Sequence, residues 1–284
     1  MTLIIHYYHP IRQSDLILSI DNVVADFSIA RPERRDQLVS LLKTIELHRN
    51  ANIASWVAKK PGTFRQQFSV RFPDDTSFWV GIGLNGSAAL PDRVRLEFNP
   101  NKVGSNPHFL FIRDFVSRNS RLPVSSIRRF DLAIDIPTKR QHCFLVKDRR
   151  MYLERRHGEE FTQYLGAKSS TVGRIKLYNK SLESCLNTPL TRLELTLDPA
   201  TPYDKVNFPV VYRLKSHVIE NDSLRVTDTD LFILNALLCG YGALDELGRK
   251  TKTKMARLLS ECTEKIIIQQ KSYKKILDQL HQFT

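Results

Sequence analysis

Three short stretches alternate apolar residues with residues able to do chemistry: IRRFDLAIDIP (Ile127 to Pro137), GRIKLYNK (Gly173 to Lys180) and TRLELTL (Thr191 to Leu197). On a β-strand, successive side chains face opposite ways. Burying Leu132, Ile134 and Ile136, then Ile175 and Leu177, then Leu193, Leu195 and Leu197 turns the other residues to one side. That side carries Asp131, Ala133 and Asp135; Arg174, Lys176, Tyr178 and Lys180; and Arg192, Glu194 and Thr196. If the three strands share a sheet, three carboxylates, a phenol and several cations meet on it. Carboxylates on adjacent strands suit a hard divalent cation such as Mg²⁺ or Mn²⁺. Such a cation polarises a phosphate and stabilises the charge that develops on it. A tyrosine is a weak nucleophile at its free pKa of ~10. Lys176 and Lys180 are expected to favour its phenolate and to hold phosphate oxygens, and the small Ala133 leaves room for a metal or phosphate. The plain alternative is a solvated sheet face on which these charges simply pair.

Other chemistries lack their residues. His6 and His9 form an HxxH with no acid or cysteine spaced to complete a zinc site, and no HxH occurs. No basic pentad of a tyrosine recombinase is found, and no GxxxxGK[ST] supports an ATP-driven helicase. Tyr152 and Tyr164 read as packing or edge residues. The four cysteines (Cys143, Cys185, Cys239, Cys262) are scattered and read as reduced thiols. No apolar run approaches the ~20 residues of a membrane helix, and the first residues do not read as a secretion leader. The expectation is a soluble cytoplasmic protein without a membrane partner.

Charge points to the substrate class. The 284 residues hold 43 Lys and Arg against 30 Asp and Glu, a formal net of +13. Between Asn101 and Lys180 alone there are 17 cations and 7 acids. GRKTKTKMAR adds Arg249, Lys250, Lys252, Lys254 and Arg257 with no acid. Clustered positive charge favours a polyanion, nucleic acid first, through phosphate neutralisation and counterion release. The five C-terminal cations stand at the start of a helical run that could lie along a DNA groove; a solvated helix start is the equal alternative.

The elements that must position these residues follow from periodicity. LILSIDNVVADFSIA, FRQQFSVRF, TSFWVGIGLN and VRLEFNP read as strands. RPERRDQLVSLLKTIEL and HFLFIRDFVSRN read as helices. IRRFDLAIDIP, HCFLVKD, MYLERR, TQYLG, GRIKLYNK and TRLELTL form a second strand group. After about residue 222 the texture becomes helical to the end, with Asp228 or Asp230 as a cap and Gly240 and Gly248 as stops. A weak repeat pairs Trp79-Val80-Gly81 and Arg95-Leu96-Glu97 with Tyr164-Leu165-Gly166 and Arg192-Leu193-Glu194. The two offsets differ, so GRIKLYNK reads as an insertion in the second copy. The expected fold is α+β: two related β-rich halves forming curved, mostly antiparallel sheets, with a C-terminal helical segment. Residues 1–120 would be a non-catalytic pseudo-repeat, 121–221 the catalytic half and 222–284 the helical segment.

The stretch YLGAKSSTVGRIKLYNKSLES (Tyr164 to Ser184) resembles the signature of the Rep_trans family of rolling-circle replication initiators. There a Tyr-hydrophobic-Gly-x-x-x-Ser segment leads to a strand ending in a tyrosine, then Asn or Asp, Lys and shortly afterwards Glu. VRLEFNPNK, RRFDLAIDIP and TRLELTL resemble the family's other blocks in the same order, over roughly residues 16 to 200. Ala167-Lys168 departs from a Ser-Arg/Lys pair. The resemblance implies a protein that nicks one strand of double-strand origin DNA, at an extruded hairpin or single-stranded nick site. Its tyrosine would stay linked to the 5′ end and leave a 3′-OH primer. It implies a divalent metal, Mg²⁺ or Mn²⁺, a homodimer and a recruited host helicase. Tyr178 matches the nucleophile, and Asp135, Glu194 and Asp131 the metal ligands. Lys176, Lys180 and Arg174 would assist, and Arg192 and Lys168 would contact DNA. A relaxase of a conjugative or integrative element, with the same chemistry, and a non-catalytic origin-binding protein are the alternatives.

Overall fold

A computed structural model describes residues 9–47, 51–86, 92–121, 126–158, 160–167, 172–215 and 227–283. The chain is α+β, with mostly antiparallel strands and a C-terminal helix. The first strands are β1 (Ile11–Gln13) and β2 (Leu16–Ser28), followed by helix α1 (Pro32–Leu47). Then come β3 (Asn52–Val57), β4 (Phe64–Arg71), β5 (Ser77–Leu84) and β6 (Arg93–Phe98). Two helices follow, α2 (Pro100–Val103) and α3 (Pro107–Asn119), each started by an Asn-Pro pair. The asparagine side chain accepts the first free amides and the proline needs no partner for a missing one.

The later strands are β7 (Ser126–Ile136), β8 (Cys143–Leu145), β9 (Tyr152–His157), β10 (Glu160–Leu165) and β11 (Ile175–Asn179). After a single turn, α4 (Lys180–Glu183), comes β12 (Thr191–Leu197), then β13 (Val211–Leu214). The chain continues through α5 (Asp228–Leu238), α6 (Arg249–Cys262), β14 (Thr263–Lys265) and α7 (Gln270–Leu280).

Eleven strands make one sheet in the order β3-β4-β5-β6-β2-β7-β12-β11-β10-β9, with β1 paired to β2. The two β-rich groups therefore share a sheet, joined through the long β2–β7 pair. One face is buried: Leu18, Ile20, Leu96, Leu132 and Ile134 are fully covered, as are Leu38 and Leu42 of α1 and Ile112 of α3. β14, β13 and β8 form a separate three-stranded sheet.

The strand order corrects the expected repeat. β6 and β12 are the matching strands, so Arg95-Leu96-Glu97 does answer Arg192-Leu193-Glu194. Gly81 and Gly166 do not answer each other, because one lies on β5 and the other just after β10. GRIKLYNK is no insertion: β11 holds the place that β5 holds in the first half.

The C-terminal stretch is also less uniform than its period indicates. The helical run breaks at Thr263–Lys265, which adds a strand to β13. α7 then returns to the main core with Tyr273, Ile276 and Leu280 buried. Thr227, rather than Asp228 or Asp230, caps α5, and Asp230 completes the capping box. Gly240 does stop that helix, with φ +71°, whereas Gly248 precedes α6 as its cap. The expected boundary at 221/222 lies outside the described residues. Among those residues, no helix is long and apolar enough to cross a membrane.

Candidate active site

The three chemistry-bearing strands are neighbours. β12 lies between β7 and β11, and the register sets Lys176 beside Glu194 beside Ala133, and Tyr178 beside Arg192 beside Asp135. Asp131 stands opposite Thr196. The alternate residues, Leu132, Ile134, Leu177, Leu193 and Leu195, are buried in the core, so burial of one face fixes what the other presents.

Tyr178 is nearly enclosed, with 4% of its surface exposed. Its hydroxyl donates to Glu194 Oε1 at 2.5 Å and lies 3.1 Å from Glu183 Oε2. Glu183 arrives on α4, whose first amide-binding residue is Asn179. Burial, then the charge of Glu194 and its hydrogen bond, then Glu183, push the phenol well above its ordinary pKa. The expectation that Lys176 and Lys180 favour phenolate is therefore overturned. Lys180 Nζ is engaged by Glu183 at 2.5 Å. Lys176 Nζ lies 3.5 Å from the centre of the Tyr178 ring and 3.8 Å from Glu194 Oε2. Each lysine offsets a carboxylate rather than the hydroxyl, and the two carboxylates on the proton prevail.

Asp135 departs from the expected metal set. Arg192 Nε and Nη2 donate to its two oxygens at 2.6 and 2.8 Å, and Nη1 donates to Asp21 at 3.0 Å. Asp135 and Arg192 are each 8% exposed. Desolvation opposes the Arg192 charge, but its bonds to Asp135 and the charges of Asp135 and Asp21 hold it more firmly protonated than usual. A bidentate buried pair of this kind leaves neither partner free: Asp135 is not an open ligand, and Arg192 is not a free phosphate contact.

Asp131 and Glu194 are different. Asp131 Oδ1 is buried without a hydrogen-bond partner. Burial raises the Asp131 pKa against its bond to Thr196, and burial likewise raises that of Glu194 against Lys176. A cleft of about 340 Å³ opens between them, lined also by Tyr164, Arg174 and Lys176. An unpartnered carboxylate oxygen at a cleft that a second carboxylate also lines fits a hard cation. Among the described residues, no group of three or more His, Cys, Asp or Glu is placed to hold a metal; this cleft is lined by two carboxylates, Asp131 and Glu194.

A second cleft, about 550 Å³, lies on the other side of Lys176 and reaches Tyr178, Glu183, Arg155, Arg156 and His157. Arg174 and Arg155 lie over the Tyr164 ring, at 5.3 and 5.9 Å. Tyr164 is therefore the organising ring of a basic rim and not only an edge residue. Of the other expected DNA contacts, Lys168 lies outside the described residues. Arg249 and Lys250 are exposed at the start of α6. Lys252 pairs with Asp245, Lys254 with Asp230 at 2.5 Å, and Arg257 with Glu261 at 3.6 Å. Beneath them Met255, Leu258 and Cys262 pack on Leu234 and Leu238 of α5.

Residues missed in the sequence are Glu183, Asp21, Arg155 and Arg156. Glu183 carried a signal, five residues after Tyr178 in YNKSLES. Asp21 carried none, because its place depends on a bulge in the β2–β7 pairing between Ile20 and Asn22. Comparison with known proteins adds no relative: no protein-family model matches this chain, and no curated protein matches it.

Proposed function

We propose that this protein nicks and rejoins one strand of DNA through Tyr178, as a rolling-circle replication initiator acting at a double-strand origin. The observation that carries the reading is the hydrogen bond from the Tyr178 hydroxyl to Glu194, on a strand adjacent to the one bearing the unpartnered Asp131. A nucleophile with a pKa this high needs a base at the hydroxyl, and Glu194, its own pKa raised by burial, is in contact. Glu194 takes the phenolic proton as the Tyr178 oxygen bonds to phosphorus. The bond from phosphorus to the 3′ oxygen breaks, and that oxygen takes a proton from solvent. The product is a 5′-phosphotyrosine and a 3′-OH primer, and because no bond is hydrolysed the reverse attack rejoins the strand. Asp131 and Glu194 would hold a divalent cation, Mg²⁺ or Mn²⁺, which when bound supplies charge neutralisation at the scissile phosphate. Arg155, Arg156, Arg174 and Lys176 line the two clefts that flank the tyrosine and suit the neighbouring phosphates.

The enclosure of Tyr178 favours a second reading, a DNA-binding protein that does not cut. One experiment separates them. Supercoiled DNA carrying the replication origin is incubated with protein and Mn²⁺, and denaturing gels are read for a protein–DNA adduct. The wild type should form it, and Tyr178→Phe should form none while retaining origin binding within about threefold, since the substitution removes one nearly enclosed hydroxyl and no charge. No adduct from the wild type, or an equal adduct from Tyr178→Phe, overturns the nicking mechanism.

A further inference from the structure

The first half of the sheet repeats the carboxylates and the arginine of the two rows through Tyr178 and Lys176, with Gly81, Trp79 and Val24 in the places of Tyr178, Lys176 and Ala133. Cross-strand register forms a row Asp26–Arg95–Gly81–Gln67–Trp56, and below it a row Val24–Glu97–Trp79–Ser69–Ala54. Asp26 and Arg95 answer Asp135 and Arg192, and Gly81 stands where Tyr178 stands. Glycine is required there: a Cβ at position 81 would lie 2.4 Å from Trp79 Cη2 and 2.6 Å from Phe64 Cγ. The indole of Trp79 thus lies across the sheet over the missing side chain. Phe64 meets it edge-on at 5.5 Å, and the Arg95 guanidinium sits 5.1 Å above the Phe64 ring.

Cations gather on the same face. Asp26, 3% exposed, accepts from Arg95 at 2.6 and 3.0 Å and from Arg128 at 3.0 Å, with Arg93 at 3.6 Å. One buried carboxylate orients three guanidinium groups, which leaves an excess of two positive charges. The Arg128 side chain is half exposed. Of the acids nearest in sequence, Glu97 is paired with Arg129 and bonded by Asn22, while Asp92 accepts from the Ser28 hydroxyl and keeps its charge. Trp56 is 43% exposed and lies three strands from Arg95, about 14 Å at ordinary strand spacing.

We propose that this face binds a single-stranded polynucleotide, with bases stacked on Trp79 and Trp56 and phosphates on Arg93 and Arg128. Rings beside guanidinium groups in a row match a strand that alternates bases and phosphates. A duplex hides its base faces and would meet only the arginines. The site goes beyond the nicking reading and does not depend on it, because it needs neither Tyr178 nor Glu194.

The chain has only two tryptophans, and both lie here, so their emission reports on this face alone. The test uses full-length Tyr178→Phe protein titrated with a short oligothymidylate, binding being followed in parallel by anisotropy of an end-labelled strand. Saturable quenching that weakens with added salt is expected, with little quenching by a duplex of equal length. Arg128→Ala and Trp56→Ala, both at exposed positions, should each weaken binding about tenfold. Strand binding without a change in emission overturns the proposal, as does unchanged affinity in both variants. Equal quenching by polyglutamate overturns it in favour of an acidic-peptide surface. The adduct assay on wild-type protein reads the nicking mechanism separately, so either can fail alone.

Discussion

Tyr178 and Gly81 hold matching places in the sheet, and each is explained by what fills the space above it. The phenol is clasped by Glu194 and Glu183; the glycine is roofed by Trp79 and Phe64. Orientation was legible in the sequence, since strict alternation put Tyr178, Lys176, Glu194 and Asp131 on one face. Partner choice was not. Whether Arg192 meets Asp135 or a phosphate depends on register between strands more than fifty residues apart, which alternation does not encode. Asp131 supplies a test at this scale. Burial raises its folded pKa, with Asp21 and Glu97 adding their charge and Thr196 and Arg129 opposing. The folded state thus holds that proton more tightly than the unfolded chain does. The group costs nothing below the ordinary carboxylate pKa of ~3.9, and stability is lost as pH rises through the raised value. Asp131→Asn should therefore stabilise the protein by about 1–3 kcal/mol at pH 7 and not at pH 3.5. Thermal melts at the two pH values check this, and the same variant should lose metal-dependent adduct formation.

Among the elements, strands with a clean alternation and helices with a clean stripe were readable: β2, β7, β11, β12, α1 and α3 fall where their patterns put them. β3 escaped because Asn52, Ala54, Ser55, Trp56 and Val57 are all exposed, so no buried face marks it. The C-terminal run escaped for a different reason. Its apolar stretch Ile266 to Ile268 fits a helix by period, but Ile266 and Ile268 alternate into the main core after β14. α7 then covers the same core, with Phe283 edge-on to Phe98 at 5.8 Å. The last helix is thus part of the body that holds the site and not an appendage. Ile276, fully buried, should lose about 2–5 kcal/mol on change to alanine, seen as a lower urea midpoint in one transition shared with the β-sheet signal. A separate early transition confined to helix would show that α7 is an independent unit.

At the scale of the whole molecule, the resemblance between the two halves was visible in the RLE repeat, but not that they share a sheet. Strand composition says how long a strand is and which side is apolar, and nothing about its neighbour. β2 and β7 run against each other for almost their full length, from Ile17 opposite Asp135 to Asp26 opposite Ser126. Each is thereby an interior strand only because the other exists. A piece carrying β1 to β6 alone would present the backbone of β2 as a bare sticky margin of 13 residues, and strands so exposed seek any partner. Made separately, the two pieces should fail as soluble monomers and recover when co-expressed, each completing the other's hydrogen bonding. The long central seam makes the half bearing Gly81 and the half bearing Tyr178 a single folding event: neither has the means to live apart.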